Sequence, residues 1–143
     1  MEELQLKAMT VMMRASQYMA EVSRQDIKRY GLNITEFAVL ELLYHRGDQP
    51  IQMIGKKILI ASSSITYVVD KLEKKGYVKR VHCATDRRVI FAAITDEGRA
   101  FMEDIFPQHA QQMSKMFEGL TEQELEMLIS ITKRVGKTAQ NSL

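Results

Sequence analysis

The chain has 143 residues, 45% hydrophobic and 27% charged, with two prolines, seven glycines and one cysteine. A chain of this size folds most simply as one domain with a real core. A lone thiol excludes an intrachain disulfide framework and fits a reducing cytoplasm. No apolar run approaches the ~18 residues of a bilayer span, and the acidic start MEELQLKAM lacks the basic segment of a signal peptide. The net charge of +2 is unevenly spread: residues 54–88 hold nine Lys/Arg against three Asp/Glu, the remainder eleven against fifteen. A basic segment in an acidic remainder is either a polyanion-binding face or a solvated basic surface.

In chain order, residues 4–29 lack Gly and Pro and repeat apolar residues at Leu6, Met9, Met13 and at Met12, Ala15, Met19, Val22. This is helical spacing with a stripe wide enough to be covered on more than one side, ending near Gly31. Asn33 and Glu36 have capping-box spacing for a second helix carrying Phe37, Val39, Leu40, Leu42 and Leu43, which Gly47–Asp48 and Pro50 end. Residues 51–58 read as a short third helix with Met53, Ile54 and Ile58 inward, and Ile60–Ala61 as a tight turn into the next.

The fourth helix runs from about Ala61 to Lys75. On a wheel advancing ~100° per residue, Ala61, Ile65, Val68, Val69 and Leu72 share one arc. The opposite arc presents Ser63, Thr66, Tyr67, Asp70 and Lys74, flanked by Ser62 and Lys71. Small hydroxyl side chains let a helix approach a groove closely and bond to base edges or phosphates. The same residues also suit an ordinary solvated helix face.

Gly76 stops this helix. Residues 77–81 and 89–94 alternate as strands, enclosing His82-Cys83-Ala84-Thr85-Asp86-Arg87-Arg88. A hairpin with two arginines near its tip has the form of a wing, since Arg suits a narrow, electronegative minor groove. Thr95 can cap a fifth helix, with Asp96 and Glu97 in its first turn. That helix carries Phe101, Ile105 and Phe106, and Pro107 should kink or split it. Thr121–Glu124 forms a capping box for a last helix with Leu125, Leu128, Ile129, Thr132 and Val135 on its apolar face.

The order of elements and the local motifs resemble the MarR family of winged helix-turn-helix regulators over nearly the whole chain. The specific stretch is Asp86-Arg87-Arg88 followed by residues 89–95, matching D-x-R-x-x-x-x-x-L-T with Ile94 for Leu. Ser62–Thr66, Val69–Val78 and Thr95–Gly98 match the reading helix, its exit and the helix after the wing. Ala61 stands where the family usually has a capping Ser; either Ser62 takes over that role or the helix starts less firmly. Residues 36–50 and 65–73 also resemble the quinone- and catechol-responsive MhqR subgroup.

The resemblance implies a mainly α fold with a small β-wing, a single MarR-type domain over 1–143. The winged helix-turn-helix would span about 33–95, with dimerisation helices about 3–30 and 96–140. It implies a cytoplasmic homodimeric repressor on a pseudo-palindromic double-stranded DNA operator, released by a small phenolic or quinone-like effector. Ser62, Ser63, Ser64, Thr66 and Tyr67 would meet the major groove and its rims, with Lys71 and Lys74 toward phosphate. Arg87 is expected in the minor groove. Arg88 joins the contact set or, paired with Asp86, shapes the wing. Asp70 is expected to pair with a nearby cation. An effector pocket would draw on the first, second and fifth helices, with Met12, Met13, Tyr18, His45 and Phe101 as candidates; core packing explains the methionines equally.

Other classes leave weaker traces. There is no G-x-S-x-G, phosphate loop or H-x-x-x-H, so no catalysis, cofactor or metal is expected. Cys83 next to His82 could serve a metal-responsive regulator but cannot close a site alone. Cys83, with Lys79, Arg80, Arg87 and Arg88 nearby, could instead be a redox thiol. A winged module that binds protein rather than DNA is the remaining alternative.

Overall fold

The computed structural model describes residues 1–58 and 62–143, with the backbone alone for Ser62 and Ser63. The expected Ile60–Ala61 turn, and Ala61's place on the buried arc, lie outside the described residues. Two compact units are present, Met1–Met113 and Ser114–Leu143.

The first unit begins with α1 (Glu2–Lys28), α2 (Ile34–Arg46), the short strand β1 (Gln49–Pro50), α3 (Ile51–Lys57) and α4 (Ser62–Lys74). It continues through β2 (Val78–His82), β3 (Ile90–Ile94) and α5 (Asp96–Ser114). A 3-10 turn (Lys115–Phe117) and α6 (Glu122–Asn141) make up the second unit. Among the described residues no helix is long and apolar enough to cross a membrane.

The three strands form an antiparallel sheet ordered β1-β3-β2. Val78 faces Ile94 and His82 faces Ile90, while Gln49 faces Ala92 on the other edge. A two-residue strand has no periodicity to read, so in the sequence β1 shows only as a helix stop. Pro50 is tolerated there because β1 is an edge and needs no further donor.

The helix ends follow local chemistry. Asn33 Oδ1 accepts from Glu36 N at 2.8 Å while Asn33 N donates to Glu36 Oε1 at 3.0 Å. Thr121 and Glu124 form the same reciprocal box at the start of α6. At the end of α4, Tyr77 N donates to Leu72 O and Gly76 N to Glu73 O, with Gly76 at φ 83°. This is a Schellman closure, which needs a left-handed residue at Gly76.

The core lies under α4 and the sheet. Ile65, Val69 and Leu72 of α4 are buried against Leu40 and Leu43 of α2, Ile54 of α3 and Met102 of α5. Each such side chain contributes about 1.5–3 kcal/mol by leaving water. One expectation fails and another is narrowed. Met53 is exposed, because α3 turns Ile54 and the partly buried Ile51 inward instead. Pro107 does not split α5, which runs unbroken to Ser114.

The stripe on α1 is not covered within the single chain. Residues 1–20 are exposed throughout, and only Asp26 and Ile27 of the helix are buried. In the second unit, Met127, Ile129 and Val135 of α6 are likewise exposed.

Candidate nucleic-acid interface

The face of α4 opposite its core arc is open to solvent. Ser64, Thr66, Tyr67, Asp70, Lys71 and Lys74 are all exposed, while Ile65, Val68, Val69 and Leu72 are buried. The Ser62 and Ser63 side chains lie outside the described residues. Lys71 Nζ sits 5.0 Å from the centroid of the Tyr67 ring, one turn earlier. The cation is thus held over an aromatic face rather than extended freely.

Asp70 does not face outward alone. Arg80 of β2 reaches it through Nη2 at 2.6 Å and reaches Glu73 through Nη1 at 2.8 Å. The guanidinium joins the first wing strand to the acidic edge of α4. The sequence marks Arg80 only as a basic neighbour of Cys83. Its position on β2 is legible from the alternation, but the helix it faces depends on how α4 packs on the strand.

At the far end of α4, Lys75 Nζ donates to Gly31 O at 2.9 Å and stands 2.9 Å from Glu36 Oε2. Glu36 is buried, so its charge needs this ionic partner, although among the described residues no donor aligns with Oε2 as a hydrogen bond. One carboxylate therefore caps α2 and anchors the exit of α4.

The wing tip spans residues 83–89. Asp86 Oδ1 accepts from Arg88 N at 3.0 Å and from Arg88 Nε at 3.2 Å. The Arg88 side chain hydrogen bond, then its backbone one, holds the Asp86 carboxyl below the usual carboxylate range. Gln52 of α3 donates to Arg88 O at 3.5 Å. Arg87 is exposed and, among the described residues, has no ion-pair partner. The two adjacent arginines thus differ in kind.

Cys83 is half-buried at the base of the tip, its Sγ 3.3 Å from Thr85 Oγ1. The pKa of its thiol is lowered by the Thr85 hydroxyl first, then by hydrogen bonds from the Thr85 and Asp86 backbone, against opposing effects of burial and then of the Asp86 charge. The arginines invoked from sequence are not the cause. Among the described residues no three His, Cys, Asp or Glu groups gather as a metal site.

The wing's second strand feeds α5 through Thr95. Its Oγ1 donates to Gly76 O at 2.6 Å and accepts from Gly98 N at 2.9 Å. One hydroxyl thus joins the exit of α4 to the start of α5.

Of the five effector-pocket candidates, Met12, Met13 and Tyr18 are on α1, His45 on α2 and Phe101 on α5. Met12, Met13 and Tyr18 lie on exposed α1, with Tyr18 73% accessible. Phe101 stacks on Tyr77 at 4.4 Å, and His45 meets Phe106 edge-on at 4.7 Å. Tyr44 meets both His45 and Phe106, at 5.0 and 6.3 Å, and carries the Arg99 guanidinium 5.9 Å from its ring centroid. Tyr44, Phe106 and Arg99 are not apparent as a group in the sequence, because helical spacing alone does not say which α5 residues meet α2.

Known proteins share this fold. A MarR family model matches residues 32–90. The chain is 52% identical to the HTH-type transcriptional regulator MhqR of Bacillus subtilis (strain 168), over 98% of this chain and 97% of that protein. The chain belongs to the MarR family. This MarR-family chain is a DNA-binding transcriptional regulator of the winged helix-turn-helix type. It is also 42% identical to the uncharacterised HTH-type regulator YkoM of the same organism, over 93% of this chain and 86% of the relative. Among solved structures, Sco3205, a MarR family regulator from Streptomyces coelicolor crystallised in complex with DNA, superposes with a TM-score of 0.85. It is 25% identical and covers 96% of this chain and 88% of its own.

Proposed function

We propose that two copies of this chain bind a pseudo-palindromic operator as a repressor, with α4 in the major groove and the wing tip in the minor groove. The observation that carries this reading is the pairing of the open polar face of α4 with an unpaired Arg87 at the wing tip. Ser62, Ser63, Ser64, Thr66 and Tyr67 would meet base edges and groove rims. Lys71 and Lys74 would lie toward phosphates. Arg87 supplies the minor-groove cation, while Asp86 and Arg88 set the shape of the tip. The exposed apolar residues of α1, and separately those of α6, support a dimer, because exposed apolar helix faces mark interfaces. The protein acts in the cytoplasm by binding rather than catalysis.

The effector is a phenolic or quinone-like aromatic. The 52% identity to MhqR supports this, as does the aromatic group Tyr44, His45 and Phe106 with Arg99 beside it. Flat π faces with a cation at the edge suit a phenolate or a semi-polar ring. A second reading, a thiol switch at Cys83, is favoured by the lowered thiol.

The test is a gel-shift titration on a duplex selected by the protein from a random pool, with phenols, catechols and quinones added. Release by such rings, and by none of a set of aliphatic acids or divalent metals, is the expected result. Release by metals alone, or by none of the compounds, would sink the effector assignment.

A further inference from the structure

The MarR-type reading makes no use of a buried polar pair on α1 and α5. Asp26 on the last turn of α1 and His109 on α5 are each 7% exposed, and Asp26 Oδ2 lies 2.9 Å from His109 Nδ1. Tyr30 Oη donates to the same oxygen at 3.3 Å, and Arg29 Nη1 donates to Oδ1 at 3.0 Å. The other side of the His109 ring packs on Phe37 of α2, centroids 4.6 Å apart. Eighty-three positions separate the pair in sequence, yet they meet where α1, α2 and α5 come together.

An apolar contact at such a junction would tolerate sliding, because burial has no direction. A buried carboxylate with donors on both oxygens does not, since moving α5 would strip a charged group of a partner it cannot replace from water. The contact needs a proton on one side, and His109 Nδ1 can supply it. The opposite end of α5 is tied to the reading unit through Thr95, which bridges Gly76 O and Gly98 N. The helix is therefore pinned at both ends, to the wing-bearing unit and to the end of the long N-terminal helix.

We propose that the Asp26–His109 pair is a positioning element that fixes α1 against the reading unit of each copy and so sets the half-site separation the protein accepts. The proposal rests on the two-copy operator reading above. Neither residue touches DNA.

The experiment uses full-length protein and a duplex it selects from a random pool, remade with the half-sites moved apart or together one base pair at a time. Wild type should lose about tenfold or more in affinity per step away from its preferred spacing. His109→Phe keeps a ring against Phe37 but removes the polar contact, and should flatten that dependence to about threefold. His109→Gln keeps a donor and should stay closer to wild type. If His109→Phe and Asp26→Asn both keep wild-type sharpness, the inference is wrong while the operator reading stands. Should His109→Phe not fold, Asp26→Asn, isosteric with the native residue, carries the same test. Loss of fold by both would overturn the inference, since a pair that merely stabilises the chain would do the same. A wild type that selects no duplex overturns the operator reading first.

Discussion

Arg80 on the first wing strand holds Asp70 and Glu73 of the reading helix at 2.6 and 2.8 Å, so wing and helix are linked by one guanidinium. This gives Asp70 a purpose on a helix proposed to approach a polyanion. Its charge is satisfied by Arg80, while Lys71 and Lys74 on the same helix are exposed.

Replacing Arg80 with Met should test that linkage. The two acids are about half exposed, so the ion pairs themselves contribute only ~0.2–1 kcal/mol each. A urea melt should show a small loss of that order. Duplex affinity should fall by more than the stability does, because α4 and the wing lose their common reference. Equal small effects on both would mean that the pair is only a surface contact.

The Asp86–Arg88 pair makes a pH prediction. The Asp86 carboxyl is held below its usual range, so its contribution is complete above the unfolded carboxylate pKa and is lost as pH falls through the lowered folded one. The Arg88 amide resonance should stay constant from neutral down to about pH 4 and shift only below it. A transition above pH ~5, or an Arg88 amide unaffected by Asp86→Asn, would contradict the pairing.

Gly98 makes a steric prediction. A Cβ there would collide with the carbonyl of Tyr77, whose carbon would stand 2.9 Å away. Both groups are backbone and cannot swing aside. Gly98→Ala should therefore cost at least about 2 kcal/mol in a denaturant melt, from overpacking alone. Near-wild-type stability would show that the α5 start can move.

The Cys83 thiol should alkylate faster than an ordinary thiol at neutral pH, and Thr85→Val should slow it, because Thr85 is the largest cause of its lowered pKa. Iodoacetamide kinetics followed by mass spectrometry would read this. An unchanged rate in Thr85→Val would remove the physical basis of the thiol-switch reading. A Cys83→Ser protein that still releases the operator with quinone would remove the switch itself.

Much of the fold and of the reading face is legible in the amino-acid order itself. The wheel separates Ile65, Val68, Val69 and Leu72 from Thr66, Tyr67 and Lys74 because a ~3.6-residue period is a local property. Asn33–Glu36 and Thr121–Glu124 are readable for the same reason, as capping spans four residues. β1, Arg80 and the Asp26–His109 pair are not. Each depends on a partner far along the chain: β3 for Gln49–Pro50, α4 for Arg80, and an 83-residue separation for His109. In the sequence His109 is one of three scattered histidines, because nothing local says that Asp26 waits beside it. The inward placement of Met53 fails because a seven-residue helix has too few turns to define its face.

The open face of α4 and Arg87, which among the described residues has no ion-pair partner, together form the proposed duplex-reading surface. It is tested most directly by affinity for the selected duplex as a function of salt, for wild type and Arg87→Ala side by side. Wild-type affinity should fall steeply and linearly on a log–log plot, with Arg87→Ala weaker, most on A·T-rich flanks, and its slope shallower by about 0.9. Salt-independent binding, or an Arg87→Ala protein with the wild-type slope and affinity, would contradict it.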